Sequence, residues 1–310
     1  MTENNNYTVD CGIGILAGCA TKASLRTCGG KIAGKQLIKG LQKITQAEND
    51  EFLKGALQAY NNSELIQKGV KIHHVDQNNV GTVVDNILQS TKLNSNNGNK
   101  LKKAINEFYA KKIERGFQAI ANGFNACHMP KTKGIYVNKD KMAFSIFHEM
   151  GHAINANCKD WRKVLHRIKL PSKAIGGLAF ATALFTNRKA KNDPTRDNID
   201  KTTDFVKDNC GKIVFISMLP TLAEEAMASI NGAKMAKKVL NTDMFKKLNK
   251  LNFKAWGTYL TGAVVAGVGS ALAVYIKDKV AGNKPMKARP IYTFTPQPQY
   301  AYYQQPAYRA

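Results

Sequence analysis

Residues 148–152 read His-Glu-Met-Gly-His, and this pattern limits the fold more than any other feature of the chain. Four residues along a helix return to the same face, so His148 and His152 can grip one metal ion only if the segment is helical. Glu149 then projects beside that ion, where it can take a proton from a metal-bound water. The flanks Met142–Phe147 and Ala153–Ile154 carry no charge. Such a helix can be buried, and two imidazoles on one face of a buried helix need a partner. Zinc is the usual one.

Two ligands do not complete a catalytic zinc site; three protein ligands plus a water do. One extension of the motif needs a histidine six residues beyond the second, with a glycine three beyond it. Those positions are Cys158 and Asn155, which excludes it. The other takes a glutamate from a downstream helix, and the segment Pro220–Ser229 offers Glu224 and Glu225. Thr221 with Glu224 three residues on fits a capping box just after a break at Pro220. On that reading Glu224 caps the helix and Glu225 binds zinc, with Glu224 the alternative ligand. Ser229, one turn beyond Glu225, is placed to hydrogen-bond a ligand.

At this point the chain resembles a family. His148-Glu-x-x-His152 followed at a distance by Glu225-x-x-Ala228 is similar to the layout of the glutamate-type zinc metallopeptidases. Asn125–Pro130 with Gly134–Val137 resembles the Asn-Ala stretch and short strand that precede the histidine motif there. The resemblance covers residues 122–232. It is strongest to the integral-membrane CAAX-prenyl protease and heat-shock membrane protease group, in which hydrophobic segments separate the histidines from the glutamate. Neprilysin-like enzymes share the Asn-Ala and Glu-x-x-Ala pieces. The resemblance implies a mainly α, zincin-like core with a short β edge strand and one or more membrane-associated helices. It implies Zn2+ on His148, His152 and Glu225, Glu149 as general base, and hydrolysis of a peptide or protein substrate. It also implies that Ile135–Val137 aligns that substrate by strand addition. Ser229 stands where the family often has an aspartate. A further donor to the carbonyl oxygen is expected, with His73, His74, His128 and His166 as candidates.

Membrane signals lie downstream. Ala255–Ile276 carries no charge, has Trp256, Tyr259 and Tyr275 at its ends, and is flanked by Lys254 and Lys277. That is the pattern of a transmembrane helix, and Gly262, Gly267 and Gly269 would let a neighbour approach closely. Ala174–Thr186 and Ile213–Ala223 are too short to span as straight helices and read as a buried or re-entrant hairpin, joined by an exposed loop over Asn187–Asn209. The chain holds 46 Lys and Arg against 22 Asp and Glu, a net charge of +24. The lysines are scattered and no motif interleaves them with aromatics, which disfavours nucleic acid and points to membrane lipid as a partner. The expected location is the membrane, with the site on the cytoplasmic side.

The six cysteines form no Cys-x-x-Cys pair and read as free thiols. The run Cys11–Thr21 lacks the preceding positive charge of a signal peptide and reads as a core segment. Between Lys31 and Asn125 the apolar spacing is helical. Phe52, Leu53, Ala56, Leu57 and Tyr60 share one face, and Leu101, Ile105, Phe108, Tyr109, Lys112 and Ile113 share another. Asn94–Asn99 reads as a linker; residues 1–10 and Pro285–Ala310 read as disordered. The expected organisation is an N-terminal segment 1–30, a helical region 31–121, a metallopeptidase core with apolar helices over 122–282, and a tail 283–310. The alternative to a peptidase is an inactive zinc-binding or membrane scaffold with a basic partner-binding surface.

Overall fold

Helix-forming signals begin where the chain can satisfy its own backbone. Thr45 and Glu48 exchange side-chain and backbone hydrogen bonds as a capping box and start a helix, meeting two of the amide donors a helix start leaves open. The computed structural model describes residues 15–25, 40, 43–91 and 100–281. The readings made for residues 1–10, Asn94–Asn99 and Pro285–Ala310 lie outside the described residues. The elements are α1 (Ile15–Leu25), α2 (Gln46–Asn61), β1 (Lys71–His74), α3 (Val80–Ser90), α4 (Lys100–Ala121), β2 (Ala126–Met129), β3 (Gly134–Val137), α5 (Lys139–Met142), α6 (Ser145–Asn157), α7 (Trp161–Phe185), α8 (Asn198–Ala236) and α9 (Thr242–Ala281).

The sheet has the order β1-β3-β2. β1 pairs in parallel with β3, and β2 pairs antiparallel to it. All four residues of β3 are buried, as a strand covered on both faces must be. One face, with Ala126, Ile135 and Val137, packs on Phe147, Met150 and Ala153 of α6 and on Phe52 and Ala56 of α2. The other, with Tyr136, packs on Val84 and Ile87 of α3 and Phe117 and Ile120 of α4. β1 corrects the expectation of a purely helical region before residue 125. A short strand inside a helical stretch leaves no periodicity of its own, and only its pairing with β3 decides it. Ile135–Val137 is likewise the centre of the sheet, not an edge, so no peptide can add to it; β2 and β1 are the edges.

Asn49 clamps the start of the central helix. Its amide donates to the Lys139 carbonyl at 2.8 Å and accepts from the Ala143 amide at 2.9 Å. Asn138 caps α5 and ties it to the Ala121 carbonyl at the end of α4. α4 differs from its sequence pattern. Ile113 and Phe117 pack inward, but Ile105, Phe108 and Tyr109 are exposed, because the sheet meets only the last turns of the helix.

α8 is continuous through Pro220, which corrects the helix start expected there; the break and the Thr221–Glu224 capping box do not form. The helix packs along α6, α7 and α9, and that support outweighs the hydrogen bond a mid-helix proline removes. For the same reason the charged loop is shorter than expected, since α8 already begins at Asn198.

Close helix contact depends on glycine. A Cβ on Gly151 would lie 1.9 Å from the Ala228 carbonyl oxygen, and one on Gly232 would lie 2.2 Å from that of Phe147. The two backbones of α6 and α8 therefore touch at two levels. Gly267 of α9 meets Gly211 of α8 in the same way, 2.9 Å from its carbonyl oxygen. Gly262 meets nothing and Gly269 faces α1. Gly232→Ala is expected to force α6 and α8 apart and destabilise the fold by about 1–3 kcal/mol. Gly116→Ala, which meets nothing within 4 Å, is expected to leave stability unchanged or raise it by about 1 kcal/mol. Thermal or denaturant unfolding of the two variants checks both signs.

Candidate metal centre

α6 carries His148 and His152 one turn apart on the face turned to α8, and α8 carries Glu225 opposite them. His148 Nε2 lies 3.0 Å from His152 Nε2 and 3.2 Å from Glu225 Oε2, and His152 Nε2 lies 3.3 Å from the same oxygen. The three atoms form a nearly equilateral triangle. Ligands about 2.0–2.1 Å from a tetrahedral ion stand about 3.3 Å from one another, so these residues can hold a metal ion without rearrangement.

The outer ring nitrogens explain why the inner ones converge. His152 Nδ1 donates to Glu224 Oε1 at 2.7 Å, and His148 Nδ1 meets Ser229 Oγ at 3.1 Å. A carboxylate only accepts, so the Nδ1 of His152 carries the proton and its Nε2 is left with a lone pair. Lone pairs from two imidazoles and a carboxylate aimed at one point repel one another unless a cation lies between them. In the metal-free protein that cation is a proton. Burial alone would pull the His152 pKa down, but hydrogen bonds to Glu224 and Glu225 and the charge of Glu149 push it up to about 10.

Glu224 does not cap a helix. Its side chain is fully buried in mid-helix, where it accepts from His152 and also from His166 Nδ1 at 3.0 Å and Lys169 Nζ at 3.1 Å. A buried carboxylate persists only when charged or hydrogen-bonding partners surround it, and α7 supplies the His166 ring and the Lys169 ammonium. Glu149 is also buried, yet its carboxylate makes no hydrogen bond or ion pair among the described residues. Its charge reaches His152 and Cys127. The site thus brings three potential ligand atoms together and leaves the Glu149 carboxylate without a hydrogen-bond partner among the described residues.

The other sequence candidates separate. His73 stacks on Tyr136 with ring centroids 4.9 Å apart. His74 accepts from the Lys139 amide and faces Asp76. Both brace the sheet. His166 serves Glu224, and Cys158 donates to the Asn155 carbonyl instead of facing the ligands. Cys19, Cys127, Cys158 and Cys210 are free thiols. Three further residues at the site are not marked as site residues by the sequence: Lys169 of α7, Asn155 of α6, whose side chain joins that of Asn231 between α6 and α8, and Tyr259 of α9, which reads from sequence only as an aromatic at the end of an apolar run and sets its hydroxyl beside Glu225.

His148→Ala, His152→Ala and Glu225→Ala are each expected to lose most of the bound metal. Glu224→Ala is expected to lower affinity by about 10–100-fold, because it releases the His152 ring and strands Lys169. Metal must displace the proton on His152, so affinity should rise with pH. In the metal-free protein the stability from this proton is full below the unfolded value of about 6.5 and is lost as pH rises through about 10. Metal titrations at several pH values, with unfolding of the metal-free chain alongside, check both directions. Comparison with known proteins finds no matching family model, no similar curated protein and no similar solved structure, so the chemistry of this site is carried by its own residues.

Proposed function

We propose that this chain is a membrane-associated zinc metalloendopeptidase of the glutamate type. The observation that carries the reading is the free Glu149 carboxylate beside the His148–His152–Glu225 triangle. A site that only stores or buttresses a metal has no need of a carboxylate held beside it and paired with none of the described residues. A divalent zinc ion on the triangle would make a bound water acidic and polarise a carbonyl. Glu149 takes the proton from the attacking water and passes it to the leaving amine. Glu224 and Ser229 hold the two imidazoles in the orientation that aims Nε2 at the ion. β2, beside α6, is an edge strand among the described residues, and an extended peptide can lie along such an edge. The zincin-like core and the likeness to the CAAX-prenyl and heat-shock membrane proteases belong to this reading.

The membrane part rests on surface chemistry. α8 and α9 are long and apolar enough to cross a bilayer, and only 39% and 33% of their apolar windows are buried. A core helix of a soluble protein would be mostly enclosed. Instead Leu178 of α7, Ile216 of α8 and Val268 of α9 are exposed. At the far end Lys207 donates to Asp278 and to the Thr186 carbonyl, both at 2.7 Å, and Arg188 pairs with Asp208 and Asp278. From Lys207 to Glu225 along α8 is about 27 Å, close to the roughly 30 Å of a bilayer core. The site then sits at one interface and the ion-pair cluster at the other. Lys234, Lys237, Lys246, Lys250 and Lys254 belong to the site-proximal parts of α8 and α9, and the reading takes that end as the cytoplasmic one.

Purified protein is expected to cleave unfolded casein, to lose that activity to a zinc chelator, and to regain it with zinc. Glu149→Gln should keep its metal and lose at least about 100-fold in rate. Full activity in Glu149→Gln would remove the base from the mechanism, and wild-type protein that binds zinc but cleaves nothing would make the chain a scaffold. The chain should also stay in the membrane pellet through an alkaline carbonate wash; release without detergent would make α8 and α9 core helices.

A further inference from the structure

Between Asp208 and Glu224, α8 carries a single charge, Lys212. The residue is exposed and directly follows Gly211, where the α8 and α9 backbones touch. An ammonium on the apolar surface of a membrane helix is costly unless an anion meets it. Asp208 lies one turn away on the same helix, but its carboxylate turns to Arg188 at 2.7 Å. Lys212 makes no ion pair among the described residues.

Lys212 borders an apolar hollow of about 430 Å³ between α8 and α9, walled by Phe215, Ile216, Val264, Gly267 and Val268. Ala271 borders this hollow and also a second one, of about 420 Å³, which is charged. Arg188, Lys207, Tyr275 and Lys279 line the second with Asp208 and Asp278. The two hollows form one groove, apolar at one end and basic at the other. Its two carboxylates are held by Arg188 and Lys207. That leaves Lys212 and Lys279 without a carboxylate among the described residues; the Lys279 ammonium stands 6.0 Å from the centre of the Tyr275 ring. From Val264 to Lys279 along α9 is about 22 Å, half of the roughly 40–45 Å of a bilayer with its headgroups.

We propose that this groove binds one anionic phospholipid in the leaflet away from the metal centre. An acyl chain lies against Gly267 and Val268, and the headgroup phosphate meets Lys279 beside Tyr275. Lys212 runs its apolar stem along the groove wall and lifts its ammonium toward the same phosphate. The assignment rests on the membrane reading of α8 and α9. A helix from a second copy would cover the apolar end but leave both ammoniums without an anion, and a chain of net charge +24 repels its own copies. A free phosphate ion would leave the apolar end empty.

The test uses the full chain in detergent and reads bound lipid by native mass spectrometry. The probes are dioleoyl phosphatidylglycerol, dioleoyl phosphatidylcholine and glycerol phosphate. Wild type is expected to hold one phosphatidylglycerol at least about tenfold more tightly than phosphatidylcholine and to bind no glycerol phosphate. Lys212→Gln/Lys279→Gln should lose the preference. Val268→Trp fills the groove from its open side with every charge in place, and should weaken phosphatidylglycerol at least about tenfold. Lys234→Gln/Lys250→Gln removes the same charge from the other end of the two helices and should bind as wild type does. All five positions are exposed, so the variants keep the fold. Equal binding of the two lipids by wild type overturns the site. So does phosphatidylglycerol binding within about twofold of wild type in Lys212→Gln/Lys279→Gln or in Val268→Trp. Glycerol phosphate bound as tightly as the lipid would make it a free-phosphate site, and a dimer that Val268→Trp breaks would put a second copy in the groove. If a chain that needs detergent fails these tests, the lipid site alone has failed. If an alkaline carbonate wash releases the chain without detergent, the membrane reading fails and the lipid site with it.

Discussion

The backbone contact between α6 and α8 is the constraint on which the site depends. Gly151 sits against Ala228, and Gly232 sits against Phe147. Each glycine removes the one carbon that would hold the helices at ordinary distance. A glutamate side chain is short, and its carboxylate reaches two imidazoles on another helix only if the axes are close. Gly151 lies between the two histidines in the sequence and directly beside His152, so the residue that permits the approach is built into the metal motif itself. The Asn155–Asn231 hydrogen bond, buried at the same interface, fixes the register that the glycines allow.

Burial of charge follows from that contact. Glu149, Glu224 and Glu225 are all enclosed, and three carboxylates in one apolar interface repel one another. The structure answers with positive or proton-bearing groups in layers. Glu225 faces the inner ring nitrogens. Glu224 holds the outer nitrogen of His152 and is itself held by His166 and Lys169. Among the described residues the Glu149 carboxylate receives no hydrogen bond. A network this dense is rigid, and a rigid set of ligand atoms favours one ion position.

The helical bundle adds a second environment to the same elements. α8 and α9 extend from the metal centre to the cluster of Lys207, Arg188 and Asp278, and their apolar surface between these ends is largely uncovered. Lys207 and Lys277 are buried in that cluster, and the carbonyl of Thr186 is shared between them. Lysines closing the last carbonyls of a helix oppose its dipole, so the cluster both ends α7 and pins it to α8 and α9. The α8 and α9 backbones touch at Gly211 and Gly267, a contact that uses small residues as helices in lipid do.

Much of the centre was legible in the residues alone, because helical periodicity is local. The spacing of His148 and His152 needs only a helix, and α6 is one. Glu225 and Ser229 lie one turn apart, and the structure brings both to the histidines. The continuous apolar run from Ala255 falls within one helix for the same reason. What needed distant partners was not legible. β1 is a strand because β3 lies beside it, and β3 is central because β1 covers its other edge, so Ile135–Val137 is not an edge strand. Pro220 does not stop α8 because α7 and α9 brace it. Glu224 is no cap because that helix does not begin there; the same residue becomes the anchor of His152. Local sequence therefore determined which side chains could share a helical face, and tertiary packing decided which faces meet, since hydrogen bonds between strands and contacts between helices link residues far apart in the chain.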